Sequence, residues 1–434
     1  MRVQKPREIA ASILLHRERG AGYVEDLLAR KLEQPRLSPV DRALAQELAY
    51  GVVRSQATLD WLINRKTSGR VQKVILQVLL RLGLYQMFWL DRIPDHAAVN
   101  ETVLLVRHFG CGAQAGFVNA VLRAYGREKD ATRQLLATLK VEDPALGYSH
   151  PAWLVERWTK QWGSAATTKL MEWNNSAPTT YARVNTLRAS PSDLLERWRE
   201  EGVDYDFGRW DWVPENLVFQ LKSHPPLALL PSFRKGWFYL QDPSTLLAVC
   251  LLNPQPGDTV LDCCAAPGGK TSFIAQQMGN QGTILAEDSS LPRLDLLAEN
   301  CVRLGVTCVK AIKIDPVSLP TSRPSEFSKV LVDAPCSNTG VLRRRVDLRW
   351  RIQPEELSRL QGRQLALLRE AAVRLKASGV LVYSTCSLEA EENRAVVAAF
   401  LQEHPQFSLK AERELLPWVD GVDGAYVARL VKQA

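Results

Sequence analysis

Residues 259–271 read Thr-Val-Leu-Asp-Cys-Cys-Ala-Ala-Pro-Gly-Gly-Lys-Thr, and no other stretch limits the possible folds of this chain so strongly. Val260 and Leu261 run into Asp262, small residues and two glycines follow, and Phe273, Ile274 and Met278 then recur at helical spacing. The pattern is strand, tight loop, helix. In a parallel α/β sheet such a loop lies at the carboxyl end of a strand, where these folds bind ligands. Gly268 and Gly269 let the backbone come close to a ligand, and the helix start offers free N–H groups. Two ligands compete. Gly269-Lys270-Thr271 has the ending of a phosphate loop, but the first glycine of that pattern falls on Cys264. A nucleoside cofactor is the stronger reading. A predicted strand over 283–287 ends at Asp288, about 20 residues past Gly268, the offset at which an acid meets ribose hydroxyls. A turn that holds no ligand is the plain alternative.

The same alternation continues from Asp242 to the C-terminus. Strands are expected over 259–262, 283–287, 308–314, 329–332 and 380–384, with helices over 270–278, 292–304, 354–376 and 393–403 between or after them. Residues 407–409 and 425–430 read as a closing β pair. Strands separated by helices imply a Rossmann-like parallel sheet covered on both faces. On that sheet Asp262, Asp288, Asp315, Asp333, Cys336 and Cys386 all fall at strand ends on one edge.

The rest of the chain has a different texture. At 434 residues it is too long for one ordinary core. Residues 6–128 read as nearly continuous helix, with Ser38-Pro39-Val-Asp41 as a helix start and Asp95 as a cap. Arg42, Arg54, Asn119 and Arg123 are its candidate RNA contacts, although packing alone explains most of the pattern. Residues 129–145 are charged and read as a linker. Eight of the 12 tryptophans lie between 151 and 240, where helices (151–162, 191–200) alternate with short β runs (181–184, 217–220, 237–240). Tryptophans stack on unpaired bases, but more often they are core. The expected division is an all-helical domain over 1–130, a small α+β domain over 145–240, and the α/β domain over 241–434.

Composition excludes several classes. No apolar run reaches membrane-spanning length, and the N-terminus has no signal-peptide core, so a cytoplasmic protein is expected. The eight cysteines form no C-x-x-C pair and the six histidines are scattered, which implies free thiols and no metal site. The net charge of +8 favours a polyanionic partner, with a merely solvated basic surface as the alternative. Nothing suggests a coiled coil or obligate dimer, and a monomer is expected.

Two segments carry the chemistry: Asp333-Ala-Pro-Cys336-Ser-Asn-Thr-Gly340 and Tyr383-Ser-Thr-Cys386-Ser387. Each puts a cysteine just past an apolar strand, in a turn rich in Pro, Ser, Thr and Gly, where a thiolate can face a ligand. A carboxylate, a thiolate and a nucleoside cofactor together suit methylation at C5 of cytosine. A thiolate that adds to C6 makes C5 nucleophilic, a carboxylic acid at N3 eases the addition, and a sulfonium donor such as S-adenosylmethionine supplies the methyl group. A second thiol can assist release of the product. Arg343, Arg344, Arg345, Arg349 and Arg351 follow the first cysteine and suit phosphate contact at the mouth of such a site.

Cys264-Ala-Ala-Pro-Gly-Gly-Lys270, Asp333-Ala-Pro-Cys336 and Tyr383-Ser-Thr-Cys386-Ser resemble the motifs of the RNA cytosine-5 methyltransferases, the Nol/Nop/Sun family. The N-terminal region resembles the NusB-like domain, a combination similar to the RsmB (Sun, Fmu) branch that methylates 16S rRNA of the small subunit. The resemblance implies Cys386 as the nucleophile, Cys336 as the thiol that promotes release, and Asp333 as the group bonded to the flipped cytosine. It implies S-adenosylmethionine held by Asp288 at the ribose and Asp315 at the adenine. Cys264, Ala265, Ala266, Pro267, Gly268, Gly269 and Lys270 would surround its methionine end, with Asp333 bordering it. Lys270 would fix the loop or approach the donor's carboxylate. Asn338, Val346 and Asp423-Gly-Ala-Tyr426 depart from the family pattern. The same chemistry on tRNA, and a non-catalytic RNA-binding assembly factor, are the competing functions.

Overall fold

The computed structural model describes residues 5–20, 22–32, 37–314 and 326–433, and it divides into two compact units. Met1–Ser176 and Leu342–Arg351 form the first, Ala177–Val341 and Ile352–Ala434 the second. The boundaries expected at 130, 145 and 240 follow sequence texture, whereas packing density places the division at Ser176.

In the first unit the described residues form helices joined by short turns. Pro39–Arg54 starts as expected: Ser38 Oγ accepts the N–H of Asp41 at 3.1 Å, with Pro39 in the first turn. Asp95 is not a cap but the first residue of its helix, Asp95–His108, where its carboxylate meets Lys129 Nζ at 2.5 Å. The expected linker is itself a helix, Lys129–Glu142, which buries Thr132 and Leu139 and turns its charges to solvent. The helix expected to stop at residue 162 breaks at Gly163 (φ 80°, ψ 166°) and resumes to Asn175. A run of Leu, Ile and Val from these helices makes one core, with Leu48, Leu59, Leu79, Leu82 and Val118 fully buried.

Leu342–Arg351 corrects in part the expectation of an arginine cluster for phosphate. Arg343 and Arg349 are buried, and so are Val346 and Asp347, while Arg345 and Arg351 are exposed. Arg349 donates to the carbonyls of Arg54, Ser149 and Asn174 at 3.2, 3.3 and 2.9 Å, and to Asn175 Oδ1 at 2.8 Å. Arg343 lies over the Trp173 ring at 3.9 Å, and Arg351 over Tyr23 at 4.1 Å. Asp347 accepts from Arg17 and from the N–H of Val24. Arg54, a candidate RNA contact, is also buried. The physical reason is the interleaving of apolar Leu342, Val346 and Trp350: once these dock, Arg343 and Arg349 go in with them, and Arg349 takes carbonyl partners.

The second unit holds two sheets. The smaller is antiparallel: β1 (Thr180–Val184), β2 (Asp204–Phe207), β3 (Val218–Ser223) and β4 (Phe238–Leu240), in the order β2-β3-β1-β4. Asp-Tyr-Asp-Phe of β2 escapes sequence reading because charged residues suit an exposed edge strand. Trp198 fills the core behind this sheet, so that tryptophan and the equally buried Trp158 are packing residues.

The larger sheet consists of β5 (Thr259–Asp262), β6 (Thr283–Asp288), β7 (Val309–Lys313), β8 (Phe327–Asp333), β9 (Leu375–Thr385), β10 (Phe407–Leu415) and β11 (Ala425–Lys432). Its order is β10-β11-β9-β8-β5-β6-β7. Strands β5 to β9 are parallel, as expected, and the expected closing β pair is the antiparallel β10 and β11, which joins the sheet beside β9. Val330, Leu331 and Val332 are all buried, as in a strand covered on both faces. Strand order reverses between β5 and β8, the crevice where such sheets bind ligands.

If Arg349 is a structural cation, Arg349→Ala leaves its carbonyl partners unsatisfied and lowers the stability of the first unit by about 3 kcal/mol in urea unfolding. An unchanged urea midpoint would return that arginine to the surface.

Candidate active site

Strand register brings the predicted residues together. Asp333, the last residue of β8, stands opposite Ser384 of β9, whose hydroxyl donates to Asp333 Oδ1 at 2.8 Å. Pro335 has no N–H for another ladder bond, so β8 ends and Cys336 follows in the turn. β9 ends at Thr385, and Cys386 comes next. The Cys336 and Cys386 sulfurs therefore lie 3.4 Å apart. Gly340 closes the turn from below: its N–H bonds Cys386 O at 2.9 Å, and a Cβ there would sit 2.7 Å from the carbonyls of Cys386 and Gly424.

The thiols have different surroundings. Cys386 donates to Asn338 Oδ1 at 3.1 Å, and Asn338 Nδ2 donates to Cys336 O at 2.6 Å. Asn338 has φ +60°, a conformation that asparagine tolerates better than most residues, so this departure from the family pattern is compatible with the turn. The hydrogen bond with Cys386 and burial push the Cys336 thiol well above its usual range. Burial also raises Cys264, with Asp333, Asp262 and Asp288 adding to the effect, and it raises Cys263 likewise. Both stay thiols, which leaves them packing roles.

Lys270 pairs with Asp333, Nζ to Oδ2 at 2.6 Å. Burial opposes its charge, but the Asp333 carboxylate outweighs burial and raises its pKa. This partner was not expected, and it leaves the lysine committed to Asp333 instead of to a phosphate.

Cys264, Ala265, Ala266, Pro267, Gly268 and Gly269 form the turn between β5 and helix Gly269–Gln277. Gly268 has φ +99° and packs on the helix Leu291–Leu304, where a Cβ would meet Leu297 at 3.0 Å. Asp288 stands beside the turn and accepts the N–H groups of Ala266 at 3.2 Å and Ser290 at 2.9 Å. Asp315 lies outside the described residues.

Three residues near the turn have no role assigned from the sequence, Asp262 being named there only as a strand-end acid. Ser384 is one, because its role depends on register. Asp262 is fully buried; Thr271 donates to its Oδ2 at 2.8 Å, while Oδ1 has no hydrogen-bond partner among the described residues. Burial, with Asp333 adding, raises its pKa to about 7 against the hydrogen bond from Thr271. Arg183 of β1 is buried and donates to Gly269 O at 3.1 Å, Ser272 Oγ at 3.0 Å and Gln241 Oε1 at 2.8 Å, tying the smaller sheet to the turn.

The contrast between the thiols has a chemical consequence. Iodoacetamide should alkylate Cys336 slowly at about pH 8 and faster in Cys386→Ala, where its hydrogen-bond partner is gone. Equal rates in peptide mapping would show that the contact does not restrain this thiol.

The chain matches three family models: the NusB family over residues 4–127, the Methyltr_RsmF/B-like, ferredoxin-like domain over 150–222, and the 16S rRNA methyltransferase RsmB/F over 249–431. It is 35% identical to the probable ribosomal RNA small subunit methyltransferase B of Bacillus subtilis, over 100% of both chains. It is 36% identical to ribosomal RNA small subunit methyltransferase B of Escherichia coli, over 92% of each. Among solved structures it resembles a methyltransferase homolog protein from Pyrococcus horikoshii, with 30% identity, a TM-score of 0.58, and coverage of 67% of this chain and 98% of that one. With a NusB region, a ferredoxin-like region and a Rossmann-like methyltransferase region in this order, the chain belongs to the RsmB/F family of 16S rRNA methyltransferases.

Proposed function

We propose that the chain transfers a methyl group from S-adenosylmethionine to C5 of a cytosine in 16S rRNA, through a covalent adduct between Cys386 and C6 of the base. The observation that carries this reading is the pair of sulfurs 3.4 Å apart beside Asp333, at the crevice where strand order reverses. One reaction face then meets both thiols and a carboxylate.

S-adenosylmethionine supplies the electrophilic methyl group. Two features of the chain suit it. The turn from Cys264 to Lys270 offers close backbone for its methionine end, and buried Asp262 Oδ1 is an acceptor left without a partner for a cationic ammonium. Asp288 Oδ1, which accepts only the Ser290 N–H among the described residues, keeps a further lone pair for a ribose hydroxyl, while Oδ2 meets the Ala266 N–H and the Arg293 guanidinium. Asp315 is assigned the adenine by family resemblance alone.

Each side chain then has a task. Cys386 attacks C6, and its electron pair forms the C–S bond while C5 becomes nucleophilic. Asp333, oriented by Ser384 and Lys270, hydrogen-bonds the N3 edge of the base. After methyl transfer the C5–H bond breaks with its proton passing to water, its electron pair forms the C5–C6 double bond, and the C–S bond breaks with its pair returning to the Cys386 sulfur. Cys336, kept as a thiol by its hydrogen bond with Cys386 and by burial, lies 3.4 Å from that sulfur, donates to it as it departs and so promotes the release. Residues 1–130 and 145–240 are the proposed RNA-contacting parts, and a cytoplasmic monomer is the proposed working form.

Labelled methyl transfer to 16S rRNA and to tRNA, followed by mapping of the base, tests the substrate. Label at one 16S cytosine is expected, and label on tRNA alone would overturn the assignment. Cys386→Ala should lose more than about 10³-fold in turnover. Cys336→Ala should instead accumulate a protein–RNA adduct that survives a denaturing gel; a Cys386→Ala enzyme with parental turnover sinks the mechanism.

Donor binding should also depend on pH. The Asp262 carboxyl, with its pKa near about 7, is neutral below that pH and charged above it. Calorimetry should find donor affinity about tenfold weaker at about pH 6 than at about pH 8. Asp262→Asn should flatten the profile, and an identical profile in that variant removes Asp262 from the donor site.

A further inference from the structure

Behind the two thiols lies a carboxylate that touches neither. Glu392 follows β9 in the chain, just before helix Arg394–Glu403, and its exposure is 0%. Its Oε1 accepts the backbone N–H of Ser337 at 2.8 Å and the Gln364 amide at 2.9 Å. Its Oε2 accepts the Ser387 hydroxyl at 2.5 Å and the Ser337 hydroxyl. Ser337 directly follows Cys336, Ser387 directly follows Cys386, and the two hydroxyls are 3.0 Å apart. The Gln364 amide also donates to Pro335 O at 3.0 Å, and the Tyr383 hydroxyl donates to the Glu392 carbonyl at 2.6 Å.

The chemistry of this cluster is specific. These four donors converge on two oxygens, and all are neutral. A carboxylate is acceptor-only and has lone pairs for all of them, whereas an amide brings N–H groups that face the same donors. Burying a charge with neutral partners only is unfavourable, so packing alone gives no reason for a glutamate here. What the charge does accomplish is to join the two cysteine turns at one point. We propose that Glu392 is a positioning residue: through Ser337 and Ser387 it holds the Cys336 and Cys386 turns in mutual register, so that the attacking and releasing thiols meet one base together.

This inference deepens the methylation reading and rests on it for its purpose, but the geometry can be tested without RNA. Diamide takes two electrons and two protons from a pair of adjacent thiols and leaves a disulfide, itself becoming the hydrazine. In the full-length parent protein, peptide mapping should recover a Cys336–Cys386 cross-link. In Glu392→Ala the cross-linking rate should fall at least about tenfold, with Glu392→Gln between the two. In the methylation assay Glu392→Ala should lose about 100-fold in kcat, with the KM for RNA unchanged. Glu392→Gln should recover part of that loss. Where the alanine variant does not fold, the Ser337→Ala/Ser387→Ala double variant severs the same links and should slow cross-linking equally. Cross-linking at the parental rate in both Glu392→Gln and the double variant would overturn the proposal. The cross-linking arm stays informative if the cytosine chemistry fails, because it reads only the spacing of two thiols.

Discussion

The parallel pairing of β8 with β9 is the constraint on which the site depends. It sets Asp333 opposite Ser384 and releases both chains from the sheet within a few residues of each other. Two turns from distant parts of the sequence, 50 residues apart at their cysteines, then share one small volume. A slip of one residue in this register would send Asp333 to the opposite face, away from Lys270 and Ser384. The apolar runs Val330–Leu331–Val332 and Leu381–Val382–Tyr383, fully buried, hold the pairing in place by their packing on both faces.

Around that pairing the protein gathers carboxylates, with Asp262 and Asp288 buried and Asp333 partly exposed. Asp262, Asp288 and Asp333 crowd one end of the sheet, and together with burial they hold Cys264 in its thiol form. Lys270 is the counter-charge to this group through Asp333. Deeper in the sheet Glu287 meets Arg374 in a two-point contact at 2.7 and 3.0 Å, in which both carboxylate oxygens accept from the guanidinium. Asp262 differs, since one oxygen has no partner and its pKa rises to about 7. The unpaired oxygen of Asp262 borders the glycine turn, where a buried acceptor suits a ligand.

The arginines of Leu342–Arg351 show the opposite outcome. A cluster of cations close after a reactive cysteine suggests phosphate, yet Arg343 and Arg349 are interior residues of the helical unit. Arg349 has no carboxylate among its hydrogen-bond partners; carbonyl dipoles and one asparagine solvate it instead. Burial and the nearby Arg54 charge lower its pKa to about 9. A guanidinium suits this place because its planar donors reach several carbonyls at once.

Much was legible in the sequence. The order of strands and helices from Asp242 onward, the glycine turn, the acids at strand ends and the two strand-end cysteines are local patterns, and local backbone preference and hydrophobic period decide them. The sequence by itself therefore determined the Rossmann-like class, the all-helical N-terminal region and the family. It could not supply partners, because a partner depends on register and packing between residues far apart in the chain. Tertiary structure alone decided that Lys270 serves Asp333, that Ser384 orients the same carboxylate, that charged residues 129–142 are a helix, and that Arg349 is core. It also decided that Glu392, one acid in the run Glu-Ala-Glu-Glu, is the one whose carboxylate meets both cysteine turns. Chemical type is written residue by residue, but a hydrogen bond needs two residues in place, and only the folded chain puts them there.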